Sequence, residues 1–172
     1  MNRWLRRCVV LAMASWFTLA TAVAEDSHPA PSTLRHDPRY ILEAVARAMH
    51  VRLRPDIPLP AIFLQSVTPL QRFQSALAKQ WGFEPPVFSN AYAVAQNEIY
   101  LMDDASYYTR LRRTLDDSLA HEFAHYIQVH YFNADLTHES CELEAISVQQ
   151  WFRYAHATPA TSPLQMSEAR TE

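Results

Sequence analysis

The stretch "SLAHEFAHYIQ", residues 118–128, carries two histidines four positions apart with a glutamate directly after the first. Its neighbours Leu119, Ala120, Phe123, Ala124 and Ile127 are apolar, which predicts a helix packed into a core. Residues four apart lie one turn apart on the same helix face, so His121 and His125 can aim their imidazoles at one point. Two unpartnered imidazoles on a buried helix are costly. A shared metal ion removes that cost, and zinc suits neutral imidazole without any need for thiolates. Glu122 stands about 100° around the helix from His121, beside such a metal rather than on it, where it can hold a water.

A catalytic zinc needs a third protein ligand and one open position. One known continuation of this motif supplies glycine and a third histidine, but Gln128 and Tyr131 occupy those places here. The remaining source is a downstream helix. "HESCELEAISVQQWF" (138–152) offers Glu139, Glu142 and Glu144. Glu142 and Glu144 are two apart and point to different sides, so only one can bind. On a helical wheel Glu144 falls within the arc of Ala145, Val148, Trp151, Phe152 and Ala155, whereas Glu142 lies nearer Gln149 and Arg153. A glutamate inside an apolar arc needs a partner, so Glu144 is the expected third ligand, with Glu142 as the alternative.

With His121, Glu122, His125 and Glu144 together, the chain resembles the zincin superfamily of metallopeptidases, of the gluzincin kind whose third ligand is glutamate. "EAIS" (144–147) is similar to that family's glutamate-helix signature, and the resemblance covers about residues 90–155. It implies an α+β minimal zincin-like domain: a small antiparallel or mixed sheet, an edge strand packed on the HExxH helix, and a following glutamate helix. "NEIYLM" (97–102) fits the place of that edge strand. The family's aspartate four residues after the glutamate is Val148 here (Ile146 if counted from Glu142). The hydrogen-bond partner of a ligand histidine is therefore expected from Asp116, Asp117 or Gln149. Candidates for stabilising an oxyanion are His138, Tyr131, Tyr107 and Tyr108. The activity implied is zinc-dependent hydrolysis of a peptide or protein substrate, with Glu122 as the catalytic base.

Outward from the motif, "NAYAVAQNEIYLMDD" (90–104) reads as a hairpin around "QNE". "AIFLQSV" (61–67) reads as a strand and "TPLQRFQSALAKQWG" (68–82) as a helix, with Thr68 as cap, Pro69 at its first position and Gly82 as stop. Asp37 caps an earlier helix that carries Pro38 at its first position. Cys141 reads as a small buried residue. Gln128 shares the face of His125, either touching substrate or bonded within the helix.

The first residues, "MNRWLRRCVVLAMASWFTLATAVAEDS", show a basic head, an apolar run and small residues at Ala22 and Ala24. That is the layout of a secretory signal peptide (1–24), so export to the periplasm or medium with cleavage after Ala24 is expected, without stable membrane insertion. A flexible leader (25–36), the catalytic domain (37–156) and a disordered tail (157–172) follow as expectations. Removing the signal takes away three of 15 basic residues and none of the 18 acids, leaving a net charge of −6. Such a domain is a poor partner for nucleic acid. One cysteine remains, so no internal disulfide holds the exported fold. Gly82 is the single glycine, which excludes glycine-rich phosphate cradles. Against the peptidase stand two rivals: a catalytically silent zinc-binding module, and a metal-free helical domain.

Overall fold

Asp37 accepts a hydrogen bond from the Arg39 N–H and Pro38 opens helix α1, Pro38–Ala48, as the sequence predicts. The computed structural model describes residues 31–156; the expected signal peptide (1–24), the first part of the leader (25–30) and the tail (157–172) lie outside the described residues. Strand β1, Ala61–Leu64, leads through a single 3-10 turn at Gln65–Val67 into helix α2, Leu70–Trp81. The strand is shorter than the sequence suggests because Asp103 captures Ser66, accepting from both its N–H and its hydroxyl. Helix α2 begins one residue later than expected, with Pro69 as its N-cap and no side-chain bond from Thr68. It stops at Gly82, whose φ of +75° is the left-handed conformation that glycine adopts without a Cβ clash.

The hairpin forms from β2, Ala91–Ala93, and β3, Glu98–Leu101. The sheet order is β1-β3-β2, with β1 parallel to β3 and β2 antiparallel to it. Of the antiparallel or mixed sheet expected, the mixed form is present, and the class is α+β. The expected edge strand is not where the sequence placed it: β3, within "NEIYLM", is central, and the edge facing the motif helix is β2. Period-two alternation divides the sheet into two faces. Ile62, Leu64, Tyr92, Ile99 and Leu101 join the main core with α1 and the later helices, while Phe63, Ala91, Ala93 and Tyr100 meet Phe73 and Leu77 of α2.

After the short helix α3, Ala105–Leu111, the chain enters α4, Leu115–Phe132. Thr114 and Asp117 form a reciprocal capping box that satisfies two of its first N–H groups. Helix α4 packs on α1, on both strands of the hairpin and on α5, Glu139–His156. Surrounded in this way it is buried on nearly all sides from Leu115 to Gln128. The start of α4 also tethers the residues ahead of α1. Buried Asp116 accepts from the N–H groups of Arg35 (2.8 Å) and His36 (3.2 Å) and lies 2.6 Å from His36 Nδ1. Residues 31–36, expected as part of a flexible leader, are therefore tied to the domain, with the Ser32 N–H donating to the Asp103 carbonyl as well. The sequence pattern of Pro, Ser and Thr signalled a lack of core residues, and the bond partners lay 80 positions away.

Asp116→Ala would leave those donors without their carboxylate. The expected loss is about 2 kcal/mol of unfolding free energy in a denaturant titration. A loss below about 0.5 kcal/mol would show that the tether carries no weight.

Candidate metal centre

His121 and His125 project from one face of α4, their rings edge-to-face with centroids 4.7 Å apart. Their Nε2 atoms are 3.1 Å apart. The carboxylate that meets them belongs to Glu142 on the first turn of α5: Oε1 lies 3.5 Å from His121 Nε2, and Oε2 lies 3.3 Å from His125 Nε2. Donors on a tetrahedral zinc with bonds of about 2.1 Å stand about 3.4 Å from one another. The Nε2–Nε2 separation is close to that spacing, the Glu142 carboxylate faces each ring with a different oxygen, and His121, His125 and Glu142 form a group able to hold a metal ion. The imidazoles are largely buried, whereas the Glu142 side chain is 54% exposed at the mouth of the site.

Gln128 decides how His125 presents itself. The amide is 1% exposed. Its Nε2 donates to the Cys141 carbonyl (2.8 Å) and to Glu144 Oε2 (2.9 Å), so its oxygen must face the other way. That oxygen lies 2.9 Å from His125 Nδ1 and accepts its proton. The remaining nitrogen, Nε2, then turns a lone pair toward His121 and Glu142. Three lone-pair donors in such proximity repel unless a proton or a cation sits among them. This is the orientation that a metal-ligating histidine receives from its outer hydrogen bond.

Glu144, the expected ligand, is thus corrected to an outer position: it holds Gln128, and it lines a separate groove with Ser147, Val148 and Trp151. The physical reason is the rotation of α5. Its buried residues are Cys141, Ala145, Val148, Gln149 and Phe152, while Trp151 and Ala155 are exposed. The buried arc is turned by roughly 40° from the one drawn through Trp151 and Ala155. The two glutamates flank it on opposite sides, and α4 lies toward Glu142. The expected histidine partners serve elsewhere: Asp116 holds His36, and Asp117 caps α4 and receives Arg153 Nε at 2.9 Å. Gln149 is buried and lines the far side of the cleft. Gln128 was legible as sharing the face of His125, but its bond to the ring required the position of α5.

The cleft around the cluster has a volume of about 240 Å³ on the β2 side, walled by Trp81, Asn90, Ala91, Tyr92 and Leu136. A second lobe of about 240 Å³ continues past Arg113, Ser118 and Gln149. Asn90 is fixed at their junction, accepting from the Met102 N–H at 2.7 Å and donating to Ser118 Oγ at 3.0 Å. Glu122 lines both lobes. Of the oxyanion candidates, Tyr108 donates to the Met102 carbonyl and Tyr131 accepts from the Arg54 N–H; neither they nor Tyr107 and His138 line either lobe. Cys141 is buried, as expected.

Burial pushes the His121 pKa down to about 4, helped by the neighbouring His125 and opposed in part by Glu142. Burial also pushes Glu122 well above the usual carboxylate range, with the charge of Glu142 adding to the shift. Comparison with protein-family models, curated proteins and solved structures returns no match. What the site can do is read from its own geometry.

An imidazole that protonates near pH 6.5 when unfolded and only near 4 when folded leaves the unfolded chain binding more protons between those values. The metal-free protein should therefore lose stability as pH falls from about 6.5 to about 4, and His121→Gln should flatten that slope in denaturant midpoints. Glu122 acts in the opposite direction, since its folded-state pKa is raised and its ionisation at neutral pH opposes folding. Glu122→Gln should raise the midpoint of the metal-free protein at pH 7; an unchanged or lowered midpoint contradicts the raised pKa.

Proposed function

We propose that the protein is a zinc-dependent hydrolase of peptide or related amide bonds, acting outside the cytoplasm after loss of a signal peptide at residues 1–24. The observation that carries this reading is the convergence of His121 Nε2, His125 Nε2 and the Glu142 carboxylate within 3.1–3.5 Å, with the lone pair of His125 directed inward by Gln128. Zinc is the proposed occupant because two neutral imidazoles and one carboxylate are a donor set it favours, leaving a fourth position open. Bound there, it would supply Lewis-acid polarisation of a carbonyl and lower the pKa of a water to roughly 7.

The chain's own residues do the rest. Glu122, beside the cluster and lining both lobes, takes the proton from the attacking water and returns it to the leaving nitrogen as the C–N bond breaks. Its raised affinity for protons suits both halves of that transfer. Gln128 keeps His125 in one tautomer, and Glu144 acts through Gln128 as a positioning residue. The outer edge of β2, where Ala91 and Tyr92 line the cleft, offers backbone groups to an extended peptide.

One observation favours the rival, a zinc-binding module without catalysis: His121 Nδ1 is buried and has no hydrogen-bond partner among the described residues. Only one of the two imidazoles is held from behind. The two readings part at Glu122.

Metal analysis of the purified chain should find one zinc per protein, retained in Glu144→Ala and lost in Glu142→Ala. Retention in both, or loss only in Glu144→Ala, would reject the ligand set. Glu122→Gln should keep its zinc and lose about 10²–10⁴-fold in peptide hydrolysis. Equal cleavage by mutant and parent would eliminate the proposed base, and stoichiometric zinc with no cleavage by the parent would favour the silent module.

A further inference from the structure

Strand β2 has one edge taken by β3; the other faces the cleft. Strand alternation places the Tyr92 C=O, the Tyr92 N–H and the Val94 N–H on that outer edge. Gln80, in the last turn of α2, lies against it. Its Nε2 donates to the Tyr92 carbonyl at 3.0 Å, and its Oε1 accepts from the Val94 N–H at 3.0 Å. A parallel neighbouring strand makes this same pair of bonds across one residue, here Ala93. One side-chain amide thus stands where the backbone of an added strand would stand.

The position is well supported. Helix α2 is anchored on the sheet by Phe73 and Leu77, Trp81 packs edge-on against Phe73 at 5.9 Å, and Gly82 ends the helix directly afterwards. Gln80 and Trp81 together form one wall of the lobe that contains His121, Glu122, His125 and Glu142. Because β2 is only three residues long, loss of its final pairing position removes a large part of the edge open to a ligand.

We propose that Gln80 is a specificity-determining residue: by holding the Tyr92 carbonyl and the Val94 N–H, it ends the edge along which an extended peptide can pair and restricts the cleft to short peptides. This rests on the reading of the cleft as a peptide site. A peptide that pairs at the Tyr92 carbonyl or beyond must displace the amide and forfeits two hydrogen bonds already made. Short peptides avoid that competition. The other role open to such an amide is to blunt an edge strand against self-association.

The test measures binding of unstructured alanine-serine peptides of increasing length to the zinc-loaded Glu122→Gln chain, with and without Gln80→Ala. With Gln80 present, affinity should stop rising at short length. With Gln80→Ala it should continue to rise, the longest peptides gaining about tenfold while the shortest are unchanged. Gln80→Glu, which can accept from Val94 but cannot donate to Tyr92, should give an intermediate gain. Gln80 is exposed, so these variants should fold. Parallel length profiles, binding of no peptide, or a change confined to self-association in sedimentation would overturn the proposal. Hydrolysis by the parent chain is scored separately: length-dependent binding without hydrolysis rejects the peptidase reading alone, and hydrolysis with a Gln80-independent profile rejects the role of Gln80 alone.

Discussion

The amide of Gln128 joins the two helices on which the site depends. Buried between α4 and α5, it can satisfy its donors only on the Cys141 carbonyl and the Glu144 carboxylate, and its acceptor only on His125. A buried amide with any of these bonds missing would cost about 1–3 kcal/mol, so the rotation of α5 about its axis is constrained to the one that supplies them. That rotation buries Cys141, sets Glu144 on one flank of the buried arc and carries Glu142 to the other, where the imidazoles are. A fully buried residue thereby selects both the tautomer of one histidine and the carboxylate that faces the pair.

The helix that carries this arrangement is a compromise between folding and chemistry. Helix α4 is buried almost throughout, yet it contains Asp116, Asp117, Ser118, Glu122, His125 and Gln128 in its buried set. Asp116, Asp117 and Gln128 are compensated by named partners, whereas burial drives both His121 and Glu122 toward their neutral forms, lowering the pKa of one and raising that of the other. Groups that oppose folding on an otherwise well-packed element are the expected mark of a site whose residues serve something other than stability. A divalent cation among the donors would take the place of the proton between His121 and His125, whose Nε2 atoms are 3.1 Å apart, and favour neutral imidazoles and ionised carboxylates together.

The sheet contributes through its edge rather than its centre. Parallel pairing of β1 with β3 makes the second hairpin strand central, so the shorter β2 is left to border the cleft. Sequence patterning found both strands and the turn between them, since alternation and the polar "QNE" are local features. It found nothing about which strand lay outermost, because that depends on β1 pairing with residues 37 positions away. The same limit governs Asp116: its partners at 35 and 36 are near α4 only after α1 has packed on it.

Residue types and spacing alone determined that a helix would bear His121, Glu122 and His125 on adjoining faces, that a second helix would bring glutamates, and that a strand and a hairpin would precede them. The reason is that helical and strand periodicities are properties of consecutive residues. The choice of Glu142 over Glu144, the role of Gln128 and the edge position of β2 were decided by tertiary packing. Each depends on how one element is rotated or ordered against another, and a shift of roughly 40° in the buried arc of α5 moves Glu144 from inside that arc to its flank.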